Sequence, residues 1–144
     1  MIRKININDE LSYNKLGKYL DENFEKLFNL KETLKRDYNK IYVYEEGMDI
    51  IGFIHIQKSF EIADIVNIVV LKQHQNKGIG SKLINYAIEK NNLKELNLEV
   101  RKTNPAIDFY LKNDFKIIRT IPNYYGIEDA YFMKKVIKWK MYIY

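Results

Sequence analysis

Apolar and polar positions along the chain change period several times, and each change marks an element. Ile2, Ile5 and Ile7 are the apolar positions of a first strand, read over Ile2 to Ile7. Over residues 9 to 38, Leu11, Leu16, Leu20, Phe24, Leu27, Leu30 and Leu34 recur at roughly helical spacing and predict one or two helices. Ile41 to Glu45 and Ile50 to Gln57 then read as a hairpin about Glu46-Gly47-Met48-Asp49. Ile62 to Leu71 is a longer β-rich run. A polar loop from Lys72 to Lys77 follows it, then a helix from about Gly78 to Lys90 with Leu83, Ile84, Ala87 and Ile88 as its apolar stripe. Glu95 to Arg101 is a strand. Asn104-Pro105 opens a further helix, with Asn104 as N-cap and Pro105 at the first helical position. Phe115 to Ile121 and Ala130 to Ile137 close the chain as two strands. This order of elements belongs to a mixed α/β sheet with helices packed on it. Nothing marks a boundary, so the 144 residues read as a single domain, 1–144.

Composition narrows the chemistry. The chain has no cysteine, which removes a disulfide framework, a thiolate metal site and a cysteine nucleophile. No metal-ligating constellation is visible, and neither a signal peptide nor a membrane-spanning run is expected; a cytoplasmic location is the natural expectation. The net charge of +5 favours anionic partners such as phosphorylated cofactors, acidic peptides, ribosomes or nucleic acid. Lys134, Lys135, Lys138 and Lys140, interleaved with Trp139, Tyr142 and Tyr144, form either a nucleic-acid contact or a basic edge strand.

The most informative segment is Gln75-Asn76-Lys77-Gly78-Ile79-Gly80, between a strand and a helix. Glycines let main chain approach a ligand, and a helix N-terminus offers unpaired N–H groups with partial positive charge. Together they make a cradle for phosphate, or merely a tight turn. The dinucleotide fingerprint fails, because its third glycine position is Leu83; the P-loop ending is also missing. The next strand is two-faced. Leu96, Leu98 and Val100 line one side and Glu95, Asn97, Glu99 and Arg101 the other, which implies either a solvated edge or a polar cleft. By spacing, Ala106, Ile107, Tyr110 and Leu111 share one helix face, directed at core or cleft. Tyr124-Tyr125 lie between the last two strands, as packing or as part of a groove. His74 reads as a solvated loop residue rather than a base, and His55 shows no partner.

Gln75-x-x-Gly78-x-Gly80, after a long strand and before a helix, resembles the pyrophosphate-binding signature of the GNAT superfamily of N-acetyltransferases. The resemblance runs over roughly residues 40 to 137. Within the superfamily, Asn67-Ile68-Val69-Val70, Leu98-Glu99-Val100-Arg101, Asn104 with Tyr110, and Asn123-Tyr124-Tyr125 with Glu128-Asp129-Ala130 are most similar to the bacterial enzymes that acetylate the N-terminal alanine of a ribosomal protein.

The resemblance implies a mixed, mostly antiparallel sheet of about seven strands with about four helices on both faces. It implies acetyl-CoA as co-substrate. Main chain of Ile68, Val69 and Val70 would hold the pantetheine arm, and Gln75, Asn76, Lys77, Gly78, Ile79, Gly80 and Ser81 the pyrophosphate. Asn104 would also contact the cofactor. Glu99 is implied as general base and Tyr110 as general acid, with Tyr124 and Tyr125 lining the substrate groove. The acceptor would be a primary amine such as a ribosomal or other protein N-terminus, with no membrane partner, no nucleic-acid substrate and a monomeric or homodimeric enzyme. A small amine (a polyamine, an amino-acid derivative or an aminoglycoside) stands as an alternative acceptor, and an RNA- or ribosome-binding module with a degenerate site as an alternative of another class.

Two departures stand out. The stretch from Asn104 to Tyr110 is one residue short. A deletion in the turn near Pro105 keeps Tyr110 in place, whereas one inside the helix rotates it about 100°. Asp114 stands where the family carries glycine, a position that Asn and Asp also tolerate at a helix end.

Overall fold

A computed structural model describes residues 1–124, 126 and 128–138. Strand β1 (Ile2–Lys4) is shorter than the apolar spacing suggested. The Asn6 side chain accepts from the Asn8 N–H and the Asp9 carboxylate takes the Asn6 N–H, so a capping box starts a 3₁₀ turn at Ile7 and leaves Ile7 exposed. Helices α1 (Glu10–Gly17), α2 (Phe24–Leu27) and α3 (Leu30–Thr33) replace the one or two long helices expected. Leu16, Phe24 and Leu30 are buried, but Leu11, Leu20 and Leu27 face solvent. Breaks at 18–23 and 28–29 reset the helical phase, so a single periodic stripe does not survive.

Strands β2 (Asn39–Glu46) and β3 (Asp49–Ser59) form the hairpin, joined by Gly47 at φ +64° and Met48. Then come β4 (Ile62–Val70), α4 (Ile79–Lys90), β5 (Glu95–Arg101), α5 (Ile107–Lys112), β6 (Lys116–Tyr124) and β7 (Glu128–Val136). The seven strands lie in the order β1-β2-β3-β4-β5-β7-β6. Only the β4–β5 pair is parallel, as a chain crossing over through α4 requires.

Strand alternation builds one core on each face. Ile41, Val43, Phe53 and Val69 pack with Tyr13, Leu16, Phe24 and Leu30 under α1–α3. Ile54, Ile56, Leu96, Leu98, Val100 and Met133 pack with Leu83, Ile84, Ala87, Ile88 and Tyr110 under α4 and α5. The expected sheet with helices on both faces is therefore what the chain forms. Strand β5 is interior, between β4 and β7, so a solvated edge does not explain its polar face.

The seam between β4 and β5 is short. Pairing runs Ile62↔Glu95, Ala63↔Leu96, Asp64↔Asn97 and then stops, although both strands continue. Immediately beyond, the β3–β4 register jumps from Ile56↔Ile65 to His55↔Asn67, leaving Val66 as an extra residue. Such a bulge bends its strand. Here it turns β4 away from β5 and opens a cleft through the sheet.

Candidate active site

The cleft has its vertex at Asp64 and Asn97. Along β4, the Leu71 N–H donates to the Ile51 carbonyl (2.8 Å) just outside the Gly52↔Val70 pair, which makes that pair the non-hydrogen-bonded kind. Alternation then directs the Val69 N–H and carbonyl onto Phe53 and turns those of Ile68 and Val70 toward the cleft. Of the three residues expected to offer main chain, Val69 is thus excluded by the ladder. The Val70 carbonyl is taken by Gln75 Nε2 (3.0 Å). Gln75 therefore ties the loop to the strand end rather than reaching toward a ligand with its side chain.

Beyond Gln75 the loop rises through Asn76 (φ +64°) and Gly78 (φ +78°) into α4. Gly78 is the N-cap and supplies no side-chain bond; a Cβ built there meets nothing within 4 Å, so the requirement is conformational. Among the described residues, no main-chain carbonyl accepts from the N–H groups of Asn76 through Ser81; the first bond of the helix is Lys82 N–H to Gly78 O (3.0 Å). Six consecutive donors at a twelve-residue helix start, with Lys77 and Lys82 beside them, fit an anionic diphosphate. Lys77, Ile79 and Lys82 also line a hollow of about 550 Å³ with Tyr44, Glu45 and Glu46 of the β2–β3 hairpin. At Gly80 the Phe109 ring packs close, since a Cβ there would lie 2.8 Å from its tip and the ring would have to shift.

On β5, Glu99 is exposed and, among the described residues, makes no ion pair or hydrogen bond. Tyr110 belongs to the core on the other side of the sheet, in the cluster that holds Leu98 and Val100, so the two residues lie on opposite faces. The Tyr110 ring packs edge-on against Phe109 and Phe115, at 5.4 and 5.7 Å between centroids. Burial pushes its phenol up to about 12, so it is protonated at neutral pH.

The stretch before Tyr110 opens on a turn. Asn104 Oδ1 accepts from the Ala106 N–H (2.8 Å), an Asx turn, and α5 begins only at Ile107. Asn104 is therefore not the helix N-cap, and Pro105 is not the first helical residue. Leu111 is exposed rather than sharing the buried face. Asp114 adopts φ +68° and ends α5, while the Phe115 N–H returns to the Tyr110 carbonyl (3.1 Å). Tyr124 closes β6 opposite Glu128; Tyr125 lies outside the described residues, as does the tail from Trp139 to Tyr144.

Sequence reading missed Asp64. Its signal was the spacing of the two polar residues in the β4 run. Asp64 and Asn67 are three apart, which places them on opposite faces of a regular strand but on one face across the Val66 bulge. Asp64 is exposed overall, but partial desolvation raises its carboxyl above the usual range and the Glu99 charge raises it further, against a lowering hydrogen bond from the Asn97 side chain.

Residues 37–117 match the acetyltransferase (GNAT) domain family. A relative from Sulfurisphaera tokodaii, an N-alpha-acetyltransferase, is 32% identical over 91% of this chain and 87% of its own. The chain belongs to the GNAT acetyltransferase family. As a GNAT enzyme it is an acetyl-CoA-dependent N-acetyltransferase. The ribosomal-protein-S18-alanine N-acetyltransferase of Escherichia coli shares the fold of this GNAT chain, with a TM-score of 0.82 at 23% identity over 99% of both chains. So does the PaiA N-acetyltransferase of Thermoplasma acidophilum, solved in complex with coenzyme A, with a TM-score of 0.78 at 20% identity over 95% of this chain and 98% of that one. Among the described residues, no helix is long and apolar enough to cross a membrane.

Proposed function

We propose that this GNAT enzyme acetylates a protein N-terminal α-amine, with Glu99 as general base and Tyr110 as general acid, in one 144-residue domain acting in the cytoplasm. The observation that carries the reading is the parting of β4 and β5 beyond Asp64 and Asn97, with an unpaired Glu99 carboxylate on one face of β5 and Tyr110 in the core on the opposite face. The named activity of the Sulfurisphaera relative supports the α-amine as acceptor.

Acetyl-CoA, when bound, supplies an acyl group already activated as a thioester, so no nucleophilic side chain is required. The donors of Asn76 through Ser81 hold the diphosphate, and the main-chain groups of Ile68 with the Val70 N–H hold the arm, the Val70 carbonyl being taken by Gln75. The Ile68 N–H is also free to donate to the acyl oxygen. Glu99 takes the proton of the acceptor amine. An α-amine, with a pKa of about 7.7–8.0, gives up that proton more easily than a lysine at about 10.4. Tyr110 donates to the departing sulfur. A phenol near 12 is a weaker acid than a thiol at about 8.5, and complete transfer against that difference costs about 5 kcal/mol. Its contribution is therefore chiefly a hydrogen bond to the developing thiolate.

The test is thiol release from acetyl-CoA against N-terminal peptides, polyamines and aminoglycosides. Peptides should be the preferred class. Glu99→Gln and Tyr110→Phe should each lower turnover at least about tenfold, within the range of acid–base catalysis, while calorimetry shows acetyl-CoA binding retained. Undiminished turnover in both variants removes the acid–base pair, and a preference for polyamines or aminoglycosides removes the α-amine.

A further inference from the structure

We propose that Asp64 and the Asn97 side-chain carbonyl, together with Glu99, receive the acceptor as its ammonium cation before it is deprotonated. The inference rests on the transferase reading of the cleft and adds a receptor to it.

Asp64 and Asn97 face each other as the last parallel pair, and Glu99 follows two residues on along the same face of β5. Asn97 is only 6% exposed. Its Nδ2 donates to Glu95 Oε2 (2.9 Å). A carboxylate only accepts, so that bond fixes the amide orientation and leaves Oδ1 as the acceptor. Oδ1 is buried and has no donor among the described residues. An unpaired buried acceptor is costly, of order 1–3 kcal/mol, unless something fills it.

Carboxylates outnumber cations around it. Asp64 is faced by Gln57 of β3, by Asn97, Glu95 and Glu99 of β5 and by Lys134 of β7, which pairs with Asn97. Lys134 Nζ is committed to Glu95 Oε1 (3.3 Å), and Gln57 Nε2 to Asn39 Oδ1 (3.1 Å). Among the described residues, neither Asp64 nor Glu99 has an ion-pair partner. The Asp64 and Glu99 charges oppose each other, and a cation between them relieves both the repulsion and the empty Asn97 acceptor.

The donor set selects the kind of cation. Among the described residues, no three His, Cys, Asp or Glu side chains are placed to hold a metal. An ammonium group has three donors and no acceptor, which matches three separate acceptors. Once bound, it passes one proton from nitrogen to the Glu99 carboxylate, and the nitrogen keeps the electron pair of the broken N–H bond for attack on the acyl carbon.

The experiment compares wild type with Asp64→Asn and Asp64→Glu, using acetyl-CoA and the N-terminal peptide turned over best by the wild type. Asp64→Asn should raise the KM for peptide about tenfold or more, with the loss falling on KM rather than on kcat. Peptide affinity for the coenzyme A complex, measured by calorimetry, should weaken in parallel, and Asp64→Glu should recover most of it. Wild-type peptide affinity should also fall as pH rises through the α-amine pKa of about 7.7–8.0, a dependence that flattens in Asp64→Asn. A wild type that acetylates peptides, alongside an Asp64→Asn variant with unchanged KM and affinity, overturns the receptor alone. A wild type that acetylates no amine overturns the transferase assignment first.

Discussion

His55 shows how a single side chain in this sheet sets a pH limit. Asn39 Nδ2 donates to the Thr33 carbonyl, so Asn39 Oδ1 is the acceptor that His55 Nε2 meets at 2.8 Å. The ring is therefore the neutral tautomer with its proton on Nε2, and its buried Nδ1 has no partner among the described residues. Burial lowers its pKa to about 4. The unfolded chain takes up a proton at about 6.5 that the folded chain refuses, so stability is full above that pH and falls between 6.5 and 4. The total is about 3 kcal/mol. Asp9, held below the usual carboxylate range first by its hydrogen bonds to Arg3, adds its own loss only below about pH 4, so the two windows separate. Urea unfolding at pH 7, 6 and 5 should show the decline in the wild type and a flatter profile in His55→Gln; parallel declines would mean that another group is responsible. None of this was legible from His55 as a strand residue, because its partner Asn39 is sixteen positions away. Asp114, by contrast, was legible, since few residue types end a helix with positive φ.

At the scale of elements, β5 and β4 differ in how much the sequence discloses. The alternation Glu95, Leu96, Asn97, Leu98, Glu99 announces two unlike faces and needs only the neighbouring strands to choose a cleft over an edge. The bulge at Val66 is decided by pairing with β3, and an apolar run that lacks strict alternation hides it. Likewise α1–α3 are short pieces whose buried residues answer to the sheet beneath them rather than to a shared helical period. The β4 ladder makes a residue-resolved prediction. In the ligand-free enzyme the Val69 amide is protected by Phe53, whereas the Ile68 and Val70 amides exchange readily. Added coenzyme A should slow Ile68 and Val70 about tenfold or more and leave Val69 nearly unchanged. Protection gained at Val69 alone would show that the register of free main-chain groups is wrong.

Across the whole molecule, three parallel pairs and the α4 crossover join a β1–β4 half to a β5–β7 half. A ligand held at once by β4, by the start of α4 and by the β5 side of the cleft therefore bridges the short seam between the two halves. Binding to the folded state alone adds about 2.7 kcal/mol at a hundredfold excess over Kd. For a chain of this size, about 2–4 °C accompanies each kcal/mol, so acetyl-CoA at that excess should raise Tm by about 5–10 °C. Glu99→Gln should shift by the same amount if, as proposed, Glu99 serves the acceptor and not the coenzyme. A shift in neither protein at millimolar acetyl-CoA would empty the α4 cradle of its proposed ligand. A shift in the wild type alone would move Glu99 from the acceptor side of the cleft to the coenzyme side.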